Sequence, residues 1–285
     1  MISVNDSYIF QIMFRSSLLL GLSAGMLGVF IMYKKRALEI NVFSAGSFTG
    51  ILIVFIITGS HGMWHHFLGA LLAGTAAAIM LKIIYKTDMI SPYIIQSLMT
   101  AVLLGADITL LTYIGQSANA FDSGLNIFLL GESTAIMNDE YAFLKITTIF
   151  SIAIMLLLLN RFKTVIFNED MARSSRFRVE LYDFLLNAML ITLVSVAINI
   201  MGVFLAACIF IIPSVTARLW SVNFSVILAI SGLIGAASAA AGGVIAGISH
   251  SFTSGVSITA VASVIFIVSL IVSPKGLLFR LRRKK

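Results

Sequence analysis

Three features of this chain could do chemistry: a carboxylate inside an apolar run, histidines clustered beside a tryptophan, and a mixed-charge stretch between two apolar runs. The carboxylate is Asp107, within Leu103-Leu104-Gly105-Ala106-Asp107-Ile108. An ionisable side chain is costly in hydrocarbon, so it marks either a polar contact to a substrate path or a hydrogen bond to a neighbouring helix. Both readings of Asp107 stand. The histidines are His61, His65 and His66, in Ser60-His61-Gly62-Met63-Trp64-His65-His66. Imidazole is a common metal ligand, and His61 and His65 are four apart, which suits a point of metal entry. Amphipathic ring side chains also gather at membrane–water boundaries for reasons unrelated to metal. The mixed-charge stretch, 161–181, contains Phe167-Asn168-Glu169-Asp170-Met171-Ala172-Arg173. It is long enough for a short surface helix and reads either as a docking surface for a soluble partner or as a solvated loop.

Other chemistries lack their motifs. The chain has no G-x-x-x-x-G-K-[ST] phosphate loop, no H-E-x-x-H and no C-x-x-C. Its Ser, His and Asp residues form no recognisable hydrolase arrangement, so an enzyme is not expected, and no cofactor is implied. The single cysteine, Cys208, lies in an apolar run and excludes an intrachain disulfide. The net charge is +7. Its basic residues are distributed as a membrane protein distributes them, which argues against a nucleic-acid partner.

The elements that must position these residues follow from composition. Of 285 residues, 59% are hydrophobic and 11% charged, too little polar surface for a soluble domain of this size. Apolar runs recur at 13–33, 38–59, 65–85, 92–114, 142–160, 182–200, 203–219, 223–247 and 254–273. Their length suits helices across a hydrocarbon core of roughly 30 Å. The expected fold is all-α: a single transmembrane domain over 1–285, a polytopic bundle of about nine spans, or eight if 182–219 is one broken helix. The first run is stopped by Lys34-Lys35-Arg36 and lacks a basic segment before it, which fits a retained span better than a cleaved signal. Small residues at Gly21 and Gly25, and at Gly235, Ala239, Gly243 and Gly247, make smooth strips where helix backbones can approach closely.

Three stretches resemble the metal-type ABC permease family, which imports manganese, zinc or iron. Phe167 to Arg173 is similar to that family's F-D-E-[DE]-x-A-[RK] coupling segment. Gly202-Val203-Phe204-Leu205-Ala206-Ala207-Cys208-Ile209-Phe210-Ile211-Ile212-Pro213-Ser214-Val215-Thr216-Ala217-Arg218 is similar to its G-x-L-L-V-x-A-L-L-I-I-P-A-A-T-A-R stretch. Ser273-Pro274-Lys275-Gly276-Leu277-Leu278 is similar to its short tail before the basic end. The resemblance implies an ABC importer permease of the cobalamin/metal-chelate type in a bacterial plasma (inner) membrane. It implies an ABC ATPase subunit dimer inside, an extracytoplasmic substrate-binding protein outside, and a second permease chain, identical or not. It assigns coupling to the ATPase to Phe167, Glu169, Asp170, Ala172 and Arg173.

Departures fall in the N-terminal half. Where the family reads G-D-A-[IL]-S-H-[AS], this chain reads Ile40-Asn41-Val42-Phe43-Ser44-Ala45-Gly46. Asn41 stands at the family's metal-contacting Asp and Ala45 at its His; an amide is a poor ligand and a methyl group is none. The family's D-x-P-S-G becomes Ser251-Phe252-Thr253-Ser254-Gly255. His61, His65, Asp107 and Pro213 remain as pathway candidates, Pro213 because it removes a backbone hydrogen bond and lets its span flex. The competing reading is an ion-coupled secondary transporter, which the scarcity of intramembrane charge weakens.

Basic loops alternate with loops free of Lys and Arg, which sets an orientation. Reporter fusions are expected to place residues near 35, 84, 170 and 280 inside and those near 62 and 130 outside. A cytoplasmic reporter at 62 would contradict the nine-span order.

Overall fold

A computed structural model describes residues 4–59, 63–86, 90–116, 138–167, 178–248 and 253–274, all-helical apart from short turns. The helices are α1 (Val4–Tyr33), α2 (Glu39–Thr58), α3 (Met63–Tyr85), α4 (Pro92–Gln116) and α5 (Asn138–Leu157). They continue as α6 (Leu159–Phe167), α7 (Val179–Met201), α8 (Val203–Trp220), α9 (Phe224–Ile248) and α10 (Ser254–Val272). Helix is the outcome these apolar runs require, because hydrocarbon cannot satisfy a free N–H or C=O and a helix pairs them within one segment. Among the described residues eight helices are long and apolar enough to cross a membrane, and α5 with α6, broken at Leu158, makes a ninth if the pair is one span. The expected all-α bundle of eight or nine spans is what is found.

The stretch 182–219 is two helices, each long enough to cross alone. They part at Gly202, whose φ of 77° an L side chain rarely adopts. Its N–H still closes α7 by bonding the Ile198 carbonyl at 2.9 Å. The mixed-charge stretch begins as the short amphipathic helix α6. Phe162 and Val165 are buried, and Phe162 sits edge-on to Tyr182 of α7 at 5.9 Å. Arg161 donates to the Tyr182 hydroxyl at 2.9 Å.

The chain divides into two compact units. One holds α1, α5, α9, α10 and α8 from Cys208 onward. Here the two small-residue strips meet each other: Gly21 lies against Gly235 and Ala239, and Gly25 against Ser231 and Gly232. A Cβ on Gly235 would run into the Gly21 carbonyl. That closeness lets the Ser231 hydroxyl donate to the Gly25 carbonyl at 2.6 Å, an interhelical bond that small residues make reachable. Near the end of α1, Phe30 and Tyr33 pack against Phe224, and the Arg218 guanidinium stands 5.7 Å over the Tyr33 ring.

The other unit holds α2, α3, α4, α6, α7 and the start of α8. α2 is its axis and packs on α3, α4 and α7. Val42 of α2, Ala77 and Leu81 of α3, and Ile95 and Met99 of α4 form one apolar cluster. On another face of α2, Ser47 lies against Gly74 of α3 and 3.4 Å from the Ser195 hydroxyl of α7. Ser44 donates to the Val203 carbonyl at 2.8 Å, which ties α2 to the start of α8.

Substitution at two glycines is expected to have opposite effects on stability. Gly235→Val should destabilise by at least about 1–3 kcal/mol through overpacking. Gly105→Ala adds a methyl group where, among the described residues, no atom beyond its own helix backbone and chain neighbours lies within 4 Å. It should be neutral or stabilise by up to about 1 kcal/mol, because alanine loses less backbone freedom in a helix. Thermal unfolding in detergent measures both; a Gly235→Val protein as stable as the native one would contradict the α1–α9 packing.

Candidate substrate-path site

Within the unit built on α2, polar side chains are buried in two tiers separated by the apolar cluster. The first tier joins the start of α2, the end of α3 and the start of α4. The Tyr85 hydroxyl donates to Glu39 Oε1 at 3.0 Å and accepts from Gln96 Nε2 at 2.6 Å. Glu39 and Gln96 are buried. The second tier joins the middles of α2 and α4. The Thr49 hydroxyl lies 2.5 Å from Asp107 Oδ1 and 3.0 Å from the Ala45 carbonyl. Asp107 is 1% exposed, and its Oδ2 has no hydrogen-bond partner among the described residues.

Helix periodicity explains the tiers. Gln96 and Asp107 are eleven residues apart, close to three turns, so both lie on the face of α4 that also carries Met99 and Leu103. Asn41, Ala45 and Thr49 recur every fourth residue of α2 and form one stripe. The two tiers are about 15 Å apart along α2 and about 16 Å along α4, at 1.5 Å per residue. In this unit, Asp107 is the one ionisable side chain among the described residues that stands more than two turns from both ends of its helix.

The residues expected from sequence fall in different places. Asn41 is half-buried and Ala45 fully buried on α2, and Thr49 places Asp107 on their stripe. His65 is exposed at the first turn of α3, whereas His66 is buried with its ring edge-on to Phe55 at 6.4 Å. His61 lies outside the described residues, so its relation to His65 is not given. Pro213 is buried within α8. Phe167 is exposed at the end of α6, and Glu169, Asp170, Ala172 and Arg173 lie outside the described residues. Among the described residues no three His, Cys, Asp or Glu side chains come together as a metal-binding group.

Sequence reasoning missed Thr49, Glu39, Tyr85 and Gln96. Thr49 carried a usable signal, since it stands one turn beyond Ala45 and two beyond Asn41. The Glu39–Tyr85–Gln96 tier carried none, because each member sits near a helix end where polar residues are ordinary.

The architecture is that of a polytopic helical membrane protein. The family model described as the ABC 3 transport family matches residues 6–273, and the chain belongs to that family. It is similar to the zinc transport system membrane protein TroC of Treponema pallidum, with 28% identity over 98% of this chain and 94% of that one. It is also similar to the manganese transport system membrane protein MntC of Bacillus subtilis, with 26% identity over 96% of this chain and 65% of that longer one. Among solved structures, PsaBC from Streptococcus pneumoniae in complex with Fab matches with a TM-score of 0.82 at 23% identity, over 95% of this chain and 94% of that chain. The chain is thus a multi-pass protein of the bacterial plasma membrane and the permease subunit of an ABC importer, not an ion-coupled secondary transporter.

Proposed function

We propose that this permease carries a divalent metal ion or metal chelate inward. The observation that carries the reading is similarity along nearly the whole chain to permeases of zinc and manganese transport systems. ATP would be hydrolysed on a separate chain, since no phosphate-binding loop occurs in this one. Two ATPase subunits would dock on the cytoplasmic side, a second permease chain would complete the pathway, and an extracytoplasmic binding protein would deliver the substrate. The segment 161–181 supports the docking role through its mixed charge and through α6, whose anchored face leaves Phe167 exposed at its end. Asn41 and Ala45 offer a neutral amide and a methyl group, so a bare metal would find its ligands elsewhere along the path.

The test is to replace Glu169, Asp170 and Arg173 together with Ala in the co-expressed transporter. ATP hydrolysis is expected to continue while substrate uptake is lost, with the chain still inserted. Normal uptake by the triple variant would make the segment a solvated connection and remove the coupling role.

A further inference from the structure

We propose that Thr49 and Asp107 form a transient cation site halfway through the α2–α4 packing, built from oxygen donors and suited to manganese in preference to zinc. The inference rests on the import reading above and deepens it by naming the pathway ligands and the class of metal they favour.

The starting observation is an accounting failure in a place where failures are costly. Asp107 is buried and makes one hydrogen bond, to Thr49, while its Oδ2 makes none among the described residues. A buried polar atom left without a partner costs about 1–3 kcal/mol, and more if it is charged. Such an atom calls for an explanation, and for a carboxylate a cation or a proton that completes it is the simplest. The bond that Asp107 does have is conditional. A threonine hydroxyl has one proton, and Thr49 stands within reach of two acceptors, Asp107 Oδ1 and the Ala45 carbonyl. When the proton goes to Ala45, which is the ordinary bond of a helical threonine to the carbonyl one turn back, Thr49 turns a lone pair toward Asp107. Carboxylate and hydroxyl then present adjoining oxygens with no proton between them, which is an arrangement for a cation.

Position supports the same reading. If the Glu39–Tyr85–Gln96 tier marks one end of these spans, the Thr49–Asp107 tier lies about 15 Å deeper, near the middle of a core roughly 30 Å thick. A charged group at that depth faces a bundle interior or a path, and seldom serves packing alone. The site is also sparse. With no three-ligand cluster among the described residues, an ion here would keep part of its water or share ligands with another chain, and loose binding is what transit needs.

The donors set the metal. Thr49 and Asp107 both supply oxygen, while Asn41, about 12 Å away along α2, lies beyond the reach of the same ion. Carboxylate, carbonyl and water oxygens suit manganese, whereas zinc binds best with imidazole or thiolate present. The described imidazoles of this unit, His65 and His66, stand at the start of α3, and His66 is packed against Phe55, about 9 Å along α2 from Thr49. The competing account is a permanently protonated Asp107 that donates to Thr49 and serves only to join two helices. Asparagine separates the two, because it keeps a donor and the shape but cannot be a carboxylate ligand.

The experiment uses the permease co-expressed with its ATPase and binding protein, reconstituted in proteoliposomes, and follows uptake of radiolabelled manganese and zinc. Asp107→Asn is expected to co-purify with its partners and to lower manganese uptake by at least about tenfold, the loss typical when a metal site is damaged. Uptake by Asp107→Asn equal to the native protein overturns the site. If that variant fails to assemble, Thr49→Val decides: it keeps the carboxylate and the helix, and a several-fold fall in manganese uptake supports the site while no change overturns it. A native transporter that moves zinc and not manganese overturns the oxygen-donor site and leaves the metal-import reading standing. One that moves neither metal overturns the import reading and the site with it.

Discussion

Hydrocarbon cannot form hydrogen bonds, and the rest of this structure follows from that constraint. It forces each apolar run into a helix and makes a polar side chain affordable only where its own helix or a neighbouring one can receive it. Most hydroxyls in the spans obey by bonding a carbonyl one turn back, as Thr100, Thr192 and Thr216 do. Some reach across to another helix: Ser231 to α1, Ser44 to α8, Tyr85 to α2 and, beside its bond one turn back, Thr49 to α4. With no hydrophobic effect to hold helices together in lipid, these bonds and the close glycine contacts of α1 and α9 set which helices pair.

The same constraint separates packing from function. The Glu39–Tyr85–Gln96 tier joins three helix ends through two hydrogen bonds and leaves the neutral Gln96 Oε1 without a partner among the described residues. The Thr49–Asp107 tier leaves one carboxylate oxygen unpaired and gives the only proton a second acceptor. The difference lies in charge and depth: the unpaired oxygen of the first tier belongs to a neutral amide near a helix end, and that of the second to a carboxyl group in the middle of α4. Between the two tiers lies the apolar cluster of Val42, Ala77, Leu81, Ile95 and Met99, which packs α2, α3 and α4 together.

The spans were legible in the sequence because their signal is long and local. Nearly every expected boundary falls within a few residues of a helix end; the exception is at Val4, nine residues before the expected start of α1. The two small-residue strips were legible separately, but nothing in the sequence said that Gly21 and Gly235 face each other, since pairing is a long-range property. The helix at Leu159–Phe167 was half legible: its charges suggested a surface, while Phe162 is buried against Tyr182, which comes much later in the chain. Asp107 stood out as a carboxylate among leucines. Its partner did not, because a threonine in a span is commonplace until a second helix places a carboxylate beside it.

The central claim is that this bundle is a permease driven by ATP on another chain. The most direct measurement is uptake of radiolabelled manganese and zinc into proteoliposomes holding the co-expressed transporter, with ATP supplied on the ATPase side, compared with an imposed proton or sodium gradient and no ATP. The account predicts uptake of metal that requires ATP and the ATPase subunits and ignores the gradients. Uptake by this chain alone, driven by a gradient without ATP, would contradict it.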